Sequence, residues 1–160
     1  MRRAYIGLGA NLGDPPAQLR AALAAISQLG RLVAVSPFYR SAPMGPAGQP
    51  DYCNAACALD TALDAAALMA ALLSIERRMG RVRSEKWGPR TIDLDLLHVE
   101  GEVRADADLT LPHPGIGVRN FVLVPLADIA PELWIPGIGG VADAAARIGR
   151  QGLAPWPPAP

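Results

Sequence analysis

The chain has a single lysine, Lys86, among fifteen basic residues, only two cysteines, and few aromatic side chains, which make up 5% of its 160 residues. Cys53 and Cys57 have no further Cys and no nearby His, so they do not make a zinc set and read instead as small buried hydrophobes. Charge of one sign is also missing. Fifteen acidic residues balance the fifteen basic ones, which argues against a general nucleic-acid or anionic-membrane binder and requires any basic patch to be local. No apolar run approaches the roughly 20 residues of a membrane span. The opening Met-Arg-Arg-Ala-Tyr-Ile-Gly-Leu-Gly leads into a strand-like pattern rather than a signal peptide, so the expectation is a cytoplasmic protein with no membrane partner.

Phosphate-binding loops of the usual kinds are absent as well. No G-x-x-x-x-G-K-[ST] or protein-kinase signature occurs. Gly7-Leu-Gly-Ala-Asn-Leu-Gly13 imitates a dinucleotide fingerprint, but its third Gly is one position late and no acidic residue ends the strand at Leu32 to Ser36. What remains is 51% hydrophobic and 19% charged, the composition of a globular protein with one core. We expect one domain over residues 1–150 and a loose Pro-rich tail over 151–160.

Periodicity supplies the element order. Ala4 to Leu8 reads as a strand, and Asp14-Pro15-Pro16 starts a helix with Leu19, Leu23, Ile26 and Leu29 at helical spacing, closed by Gly30. Leu32 to Tyr39 and Tyr52 to Leu63 read as strands, separated by a long Pro- and Gly-rich connection suited to a functional loop. Asp64 caps a second helix bearing Leu68, Leu72, Ile75 and Met79, stopped by Gly80. A fourth strand covers Thr91 to Val99. This order, strand, helix, strand, strand, helix, strand, predicts an α+β ferredoxin-like fold, βαββαβ, with helices on one face of an antiparallel sheet. C-terminal additions follow: a short strand near Leu109 to Leu111, a helical turn from Val122 to Ile129 and a helix from Val141 to Ile148.

The last strand carries an oddity. Alternation puts Asp93 and Asp95 side by side on one face, with Ile92, Leu94 and Leu96 on the other. Two adjacent like charges are unfavourable unless a positive group lies between them or one keeps a proton. Immediately before them runs a basic segment in which Arg77, Arg78, Arg81, Arg83, Lys86 and Arg90 are opposed only by Glu76 and Glu85. A solvated charge run is the bland reading of that segment alone. Cations for phosphate oxygens followed by carboxylates able to hold Mg²⁺ favour phosphate chemistry for the two together.

Four stretches resemble one family: Lys-Trp-Gly-Pro-Arg-Thr-Ile-Asp-Leu-Asp-Leu-Leu, Ala-Tyr-Ile-Gly-Leu-Gly-Ala-Asn-Leu-Gly, Ser-Pro-Phe-Tyr-Arg-Ser-Ala-Pro-Met-Gly and Gln-Pro-Asp-Tyr-Cys-Asn-Ala. The family is 6-hydroxymethyl-7,8-dihydropterin pyrophosphokinase, and the resemblance runs in order from about Ala4 to Leu133. It implies a ferredoxin-like fold and transfer of pyrophosphate from ATP to a pterin hydroxymethyl group, with release of AMP, in folate biosynthesis. It implies that Asp93 and Asp95 hold two Mg²⁺ ions along the triphosphate, which would be the missing positive charge. Arg81, Arg83, Lys86, Trp87 and Arg90 match a loop that closes over ATP. Tyr52 and Phe121 match aromatics that sandwich the pterin, and Asn54 the amide that reads its edge, with backbone groups around Ser41, Ala42 and Met44. Glu76, Arg90, Leu96, Thr110, His113 and Arg119 match positions at the nucleotide, with no role assigned to Glu76.

The chain departs from the family pattern in places. Lys86 stands where Arg is frequent, which turns a bidentate contact into a point charge. The loop from Arg83 to Trp87 is one residue shorter than in some members, Asp108 sits where some members place a basic residue, and Pro114 and Gly115 follow His113 where a bulkier side chain is common. The mechanism implied is positioning and electrostatics without a dedicated general base. The expected partners are ATP and the pterin, with a monomeric enzyme and no nucleic acid. A different class, a ferredoxin-like RNA-binding module using the basic loop and Tyr52 or Phe121 as stacking platforms, is the alternative, and a fragment of a larger multifunctional folate enzyme is a third possibility.

Overall fold

The computed structural model describes residues 1–42, 48–80 and 92–157. Strand β1 (Arg2–Ala10) is followed by α1 (Pro15–Ile26), β2 (Arg31–Val35), β3 (Tyr39–Ser41), β4 (Tyr52–Thr61) and α2 (Ala65–Arg78). Then come β5 (Asp93–Val99), a hairpin of β6 (Arg104–Ala105) and β7 (Thr110–Leu111), α3 (Asn120–Ile129), a second hairpin of β8 (Trp134–Ile135) and β9 (Gly139–Gly140), α4 (Val141–Ile148) and β10 (Leu153–Pro155). The main sheet has the order β10-β3-β4-β1-β5, with β2 also paired to β4, and all its pairings are antiparallel. The protein is thus α+β, with four α-helices among the described residues.

Both anticipated helix starts form as their sequences dictate. Asp14 accepts the Ala17 amide at 3.2 Å and Asp64 the Ala67 amide at 2.8 Å, each satisfying a first-turn donor that the helix cannot. Alternation along β1 sends Ala4, Ile6, Leu8 and Ala10 into a core with Leu19 and Ile26 of α1 and Leu68, Leu72 and Ile75 of α2. Tyr5 points the other way, into a second core under α3 and α4 with Leu123, Leu126 and Val141. The sheet is therefore covered on both faces. In β5 the register against β1 shifts between Tyr5 and Ile6. This bulge leaves Leu94, Leu96 and Val99 in the first core while Leu97 enters the second and His98 stacks on Tyr5.

Three boundaries differ from expectation. The strand read from Leu32 to Tyr39 is two strands, because Pro37 cannot donate to the ladder and Ser36 turns its hydroxyl to accept the Ala56 amide at 2.9 Å. The strand expected to reach Leu63 stops at Thr61, whose hydroxyl accepts the Leu63 amide at 3.1 Å and bends the chain toward the cap at Asp64. The loose tail is corrected at β10: Leu153, Ala154 and Pro155 pair with Ser41, Arg40 and Tyr39. An edge strand with unpaired backbone groups recruits whatever extended segment reaches it.

Candidate active site

The face of the sheet that carries Tyr5 also carries the site. Gly9 of β1 lies between Asp93 of β5 and Asn54 of β4, and Asn54 in turn lies beside Tyr39 of β3. One step along, Gly7 separates Asp95 from Ala56, and one step the other way Ser41 pairs with Tyr52. Two glycines thus form a floor without side chains between a carboxylate side and an amide-and-aromatic side. The floor is close-fitting at Gly9, where a Cβ would stand 3.1 Å from Asn54 Nδ2 and 3.8 Å from Tyr52 Cδ1. Ser41 Oγ donates to Asn54 Oδ1 at 2.5 Å, which fixes the amide with its NH₂ toward Gly9. Buried Asn11 reaches from the end of β1 to Gln49 and to the Pro50 carbonyl, at 3.2 and 3.1 Å, and holds the chain that enters β4. Phe121 projects from the first turn of α3, half-buried against the second core. Ala42 is exposed just beyond β3.

On the carboxylate side, Asp93 and Asp95 are half-exposed on one face, as alternation requires, while Leu94 and Leu96 are buried behind them. Glu76, only 3% exposed, accepts the Leu94 amide at 2.7 Å and so fastens α2 to the backbone between the two aspartates. His113 Nε2 lies 4.0 Å from Asp95 Oδ1. Its Nδ1 accepts the Gly115 amide at 3.0 Å, so the ring proton of the neutral form sits on Nε2, toward Asp95. Burial depresses the His113 pKa, the nearby Arg119 guanidinium depresses it further, and Asp93 opposes the shift. Arg119 occupies space that only a glycine leaves open: a Cβ on Gly115 would stand 2.9 Å from its guanidinium carbon.

Behind this edge is a pocket of about 230 Å³ lined by Met69, Asp95, Leu96, Ala107, Asp108, Leu109, Thr110, His113 and Pro114. It gathers Leu96, Thr110 and His113, three positions expected at a nucleotide, around one of the two aspartates. Sequence reasoning missed Met69, Ala107 and Leu109. Met69 follows the core-facing Leu68 and falls on the flank of the α2 stripe, a position whose use depends on what lies across from it. Arg81, Arg83, Lys86, Trp87, Arg90 and Met44 lie outside the described residues.

The donor set suits a hard cation. Two carboxylates project from one strand onto a face cleared by Gly7 and Gly9, and among the described residues no group of three or more His, Cys, Asp or Glu converges. Mg²⁺ commonly takes one or two carboxylates and completes its shell with phosphate oxygens and water. The cysteines play no such part: both are buried, and burial pushes their thiols up to about 12.

A same-face carboxylate pair of which Asp95 opens onto a pocket of this volume suits a nucleotide-dependent transferase. A sequence model described as 7,8-dihydro-6-hydroxymethylpterin-pyrophosphokinase (HPPK) matches residues 5–131, and the chain belongs to that family. A relative from Haemophilus influenzae, named 2-amino-4-hydroxy-6-hydroxymethyldihydropteridine pyrophosphokinase, is 49% identical over 138 residues, covering 85% of this chain and 86% of its own. One of the same name from Methylorubrum extorquens is 47% identical over 156 residues, covering 96% and 98%. Among solved structures, an HPPK-DHPS in complex with substrates superposes with a TM-score of 0.72 at 13% identity, over 91% of this chain and 43% of that one. Plasmodium falciparum HPPK-DHPS with STZ-DHP gives 0.70 at 12%, over 91% and 43%. At these identities the likeness concerns the fold, and the chain spans less than half of each of those solved chains.

Proposed function

We infer that the protein transfers the terminal pyrophosphate of ATP to the hydroxymethyl group of 6-hydroxymethyl-7,8-dihydropterin, releasing AMP, as a step of folate biosynthesis. The observation that carries this reading within the family is the shared sheet face: Asp93 and Asp95 at one side with Gly9 and Gly7 next to them, and beyond Gly9 the amide of Asn54, with Tyr52 next along that strand's face. A nucleotide and a flat heterocycle can lie over such a floor with the reacting groups between them. The RNA-binding alternative finds no support in the relatives from Haemophilus influenzae, Pseudomonas aeruginosa and Methylorubrum extorquens, which carry the pyrophosphokinase name.

In the reaction the pterin hydroxyl oxygen attacks the β-phosphorus, the bond from that phosphorus to the oxygen bridging the α-phosphate breaks, AMP leaves with that oxygen, and the hydroxyl proton passes to solvent. Asp93 and Asp95 would hold two Mg²⁺ ions. When bound, Mg²⁺ offsets charge on the triphosphate and lowers the pKa of the attacking hydroxyl. His113, neutral at pH 7, presents its Nε2 proton toward Asp95 and steadies that carboxylate at the pocket mouth. Leu96 and Thr110 line the nucleoside, and Arg119 adds a cation beside it. Arg81, Arg83, Lys86, Trp87 and Arg90 close over the phosphates and offset charge that develops on them. Tyr52 and Phe121 stack the pterin ring, Asn54 reads its edge, and Ser41, Ala42 and Met44 border it. Glu76 serves by holding the strand that presents the two aspartates.

The strand order β2-β4-β1-β5, with α1 and α2 packed on one face, supports a ferredoxin-like core. We take the chain, β10 included, as one catalytic domain in a monomeric cytoplasmic enzyme whose partners are these small molecules. Incubation with ATP, Mg²⁺ and the hydroxymethyl dihydropterin tests the activity directly. Mass spectrometry should find AMP and the pterin diphosphate in equal amounts, and formation of ADP or no product would refute the reading.

A further inference from the structure

We propose that segment 150–156 is a positioning clamp for the pterin side of the site, joining the strand that carries Ser41 to the helix start that carries Phe121. The proposal rests on the roles just given to Ser41, Asn54 and Phe121.

Helix α3 packs into the second core through Leu123 and Leu126, but the near ends of both walls have few restraints of their own. Strand β3 is only three residues long, and apart from its inner edge against β4 its tie to α3 is the Tyr39 hydroxyl. Helix α3 starts without a side-chain cap and with no acidic residue in its first turn, which leaves its amide donors without the usual local partner. Pro125, inside that helix, has no N–H to offer the Phe121 carbonyl.

The C-terminal segment supplies both missing restraints. Leu153 pairs with Ser41 on the outer edge of β3, and the Trp156 amide continues the ladder to the Phe38 carbonyl at 2.9 Å. Two residues before Leu153, the Gln151 carbonyl accepts Asn120 Nδ2 at 2.8 Å, one residue from Phe121. The ends of the segment grip opposite faces of the sheet: Arg150 lies 5.8 Å over the Tyr39 ring, and Arg40 lies 4.6 Å over the Trp156 ring. Tyr39 in turn donates its hydroxyl to Asp128 at the far end of α3. The strap thereby adds a second tie between β3 and α3, at the Ser41 and Phe121 ends that border the pterin, to the one Tyr39 makes with Asp128.

The test uses full-length protein and four variants: Asn120→Ala, Asn120→Gln, which keeps the amide donor, Trp156→Ala, and Asn120→Ala combined with Phe121→Ala. Each is titrated calorimetrically with a non-hydrolysable ATP analogue, and with the pterin in its presence. Asn120→Ala, which removes one hydrogen bond, and Trp156→Ala, which removes the cation–π contact with Arg40, should each weaken pterin binding roughly three- to tenfold, while leaving the ATP analogue unaffected. Asn120→Gln should recover part of the loss, and Asn120→Ala should add nothing once Phe121 is gone, because residues acting through one another are not additive. Equal weakening for both ligands, full additivity, or pterin binding like wild type would overturn the clamp. Wild-type protein that neither binds pterin nor releases AMP would instead bring down the assignment beneath it, and the clamp with it.

Discussion

The Glu76 carboxylate accepts the Leu94 amide at 2.7 Å, and Leu94 is the residue between the two site aspartates. A buried acid on a helix thus sets the height of the strand segment that presents both carboxylates. Glu76→Gln keeps an acceptor oxygen and should retain most of the fold. Glu76→Ala leaves a buried N–H without its partner and should cost about 1–3 kcal/mol of stability, with turnover reduced further than stability alone accounts for. Denaturant melts and single-turnover rates of the two variants check this. Equal behaviour of both would mean the hydrogen bond is incidental.

Asp93→Asn and Asp95→Asn should each lower kcat by more than about a hundredfold, beyond the usual effect of a residue that only orients metal ligands. Without Mg²⁺ the melting temperature should hold or rise, because two like charges on one face no longer repel. Raising Mg²⁺ should not restore the rate. Near wild-type turnover in either variant would remove the carboxylates from the reaction.

Gly9→Ala should damage the pterin side while sparing the nucleotide. Its Cβ would stand 3.1 Å from Asn54 Nδ2, and the Ser41 hydroxyl holds that amide from the other side, so Asn54 must move or give up its bond. Phe121→Ala and Tyr52→Ala should each cost about 1–3 kcal/mol of pterin binding, the scale of stacking on an aromatic ring. Calorimetry with each substrate decides: equal losses for ATP and pterin would make these residues structural.

Acid should destabilise the fold through His98. It is buried against Tyr5, and burial holds its pKa below the ordinary value, with Glu100 opposing the shift. Below about 6.5 the unfolded chain takes up this proton more readily than the folded one. Stability is therefore full above that pH and falls as pH drops through the window down to the folded value. His113 shifts in the same direction and adds to the decline. His98→Phe should flatten part of the slope of stability against pH between about 7 and 5. An unchanged slope would place the acid sensitivity elsewhere.

Much of the architecture could be read along the chain because its causes are local. Asp14 and Asp64 cap the amides a few residues ahead of them, leucines spaced along one helix face turn that face to the sheet, and a period of two puts Asp93 beside Asp95 wherever the strand lies. The run of residues shared with the pyrophosphokinases is local in the same sense, so the chemistry was visible before the fold. What the chain order could not reveal depends on register between distant strands. Gly7 and Gly9 look like a failed nucleotide fingerprint until β1 is seen to lie between β4 and β5, where they become the floor of the site. Glu76 has no assignable role until α2 crosses β5 at Leu94, and Met69 none until the β6–β7 hairpin closes a pocket over it. Leu153 to Pro155 carry the composition of a loose end, yet they form a strand because β3 offers an open edge. Backbone hydrogen bonds impose little demand on side-chain type, and only the folded sheet decides which edge is left to fill.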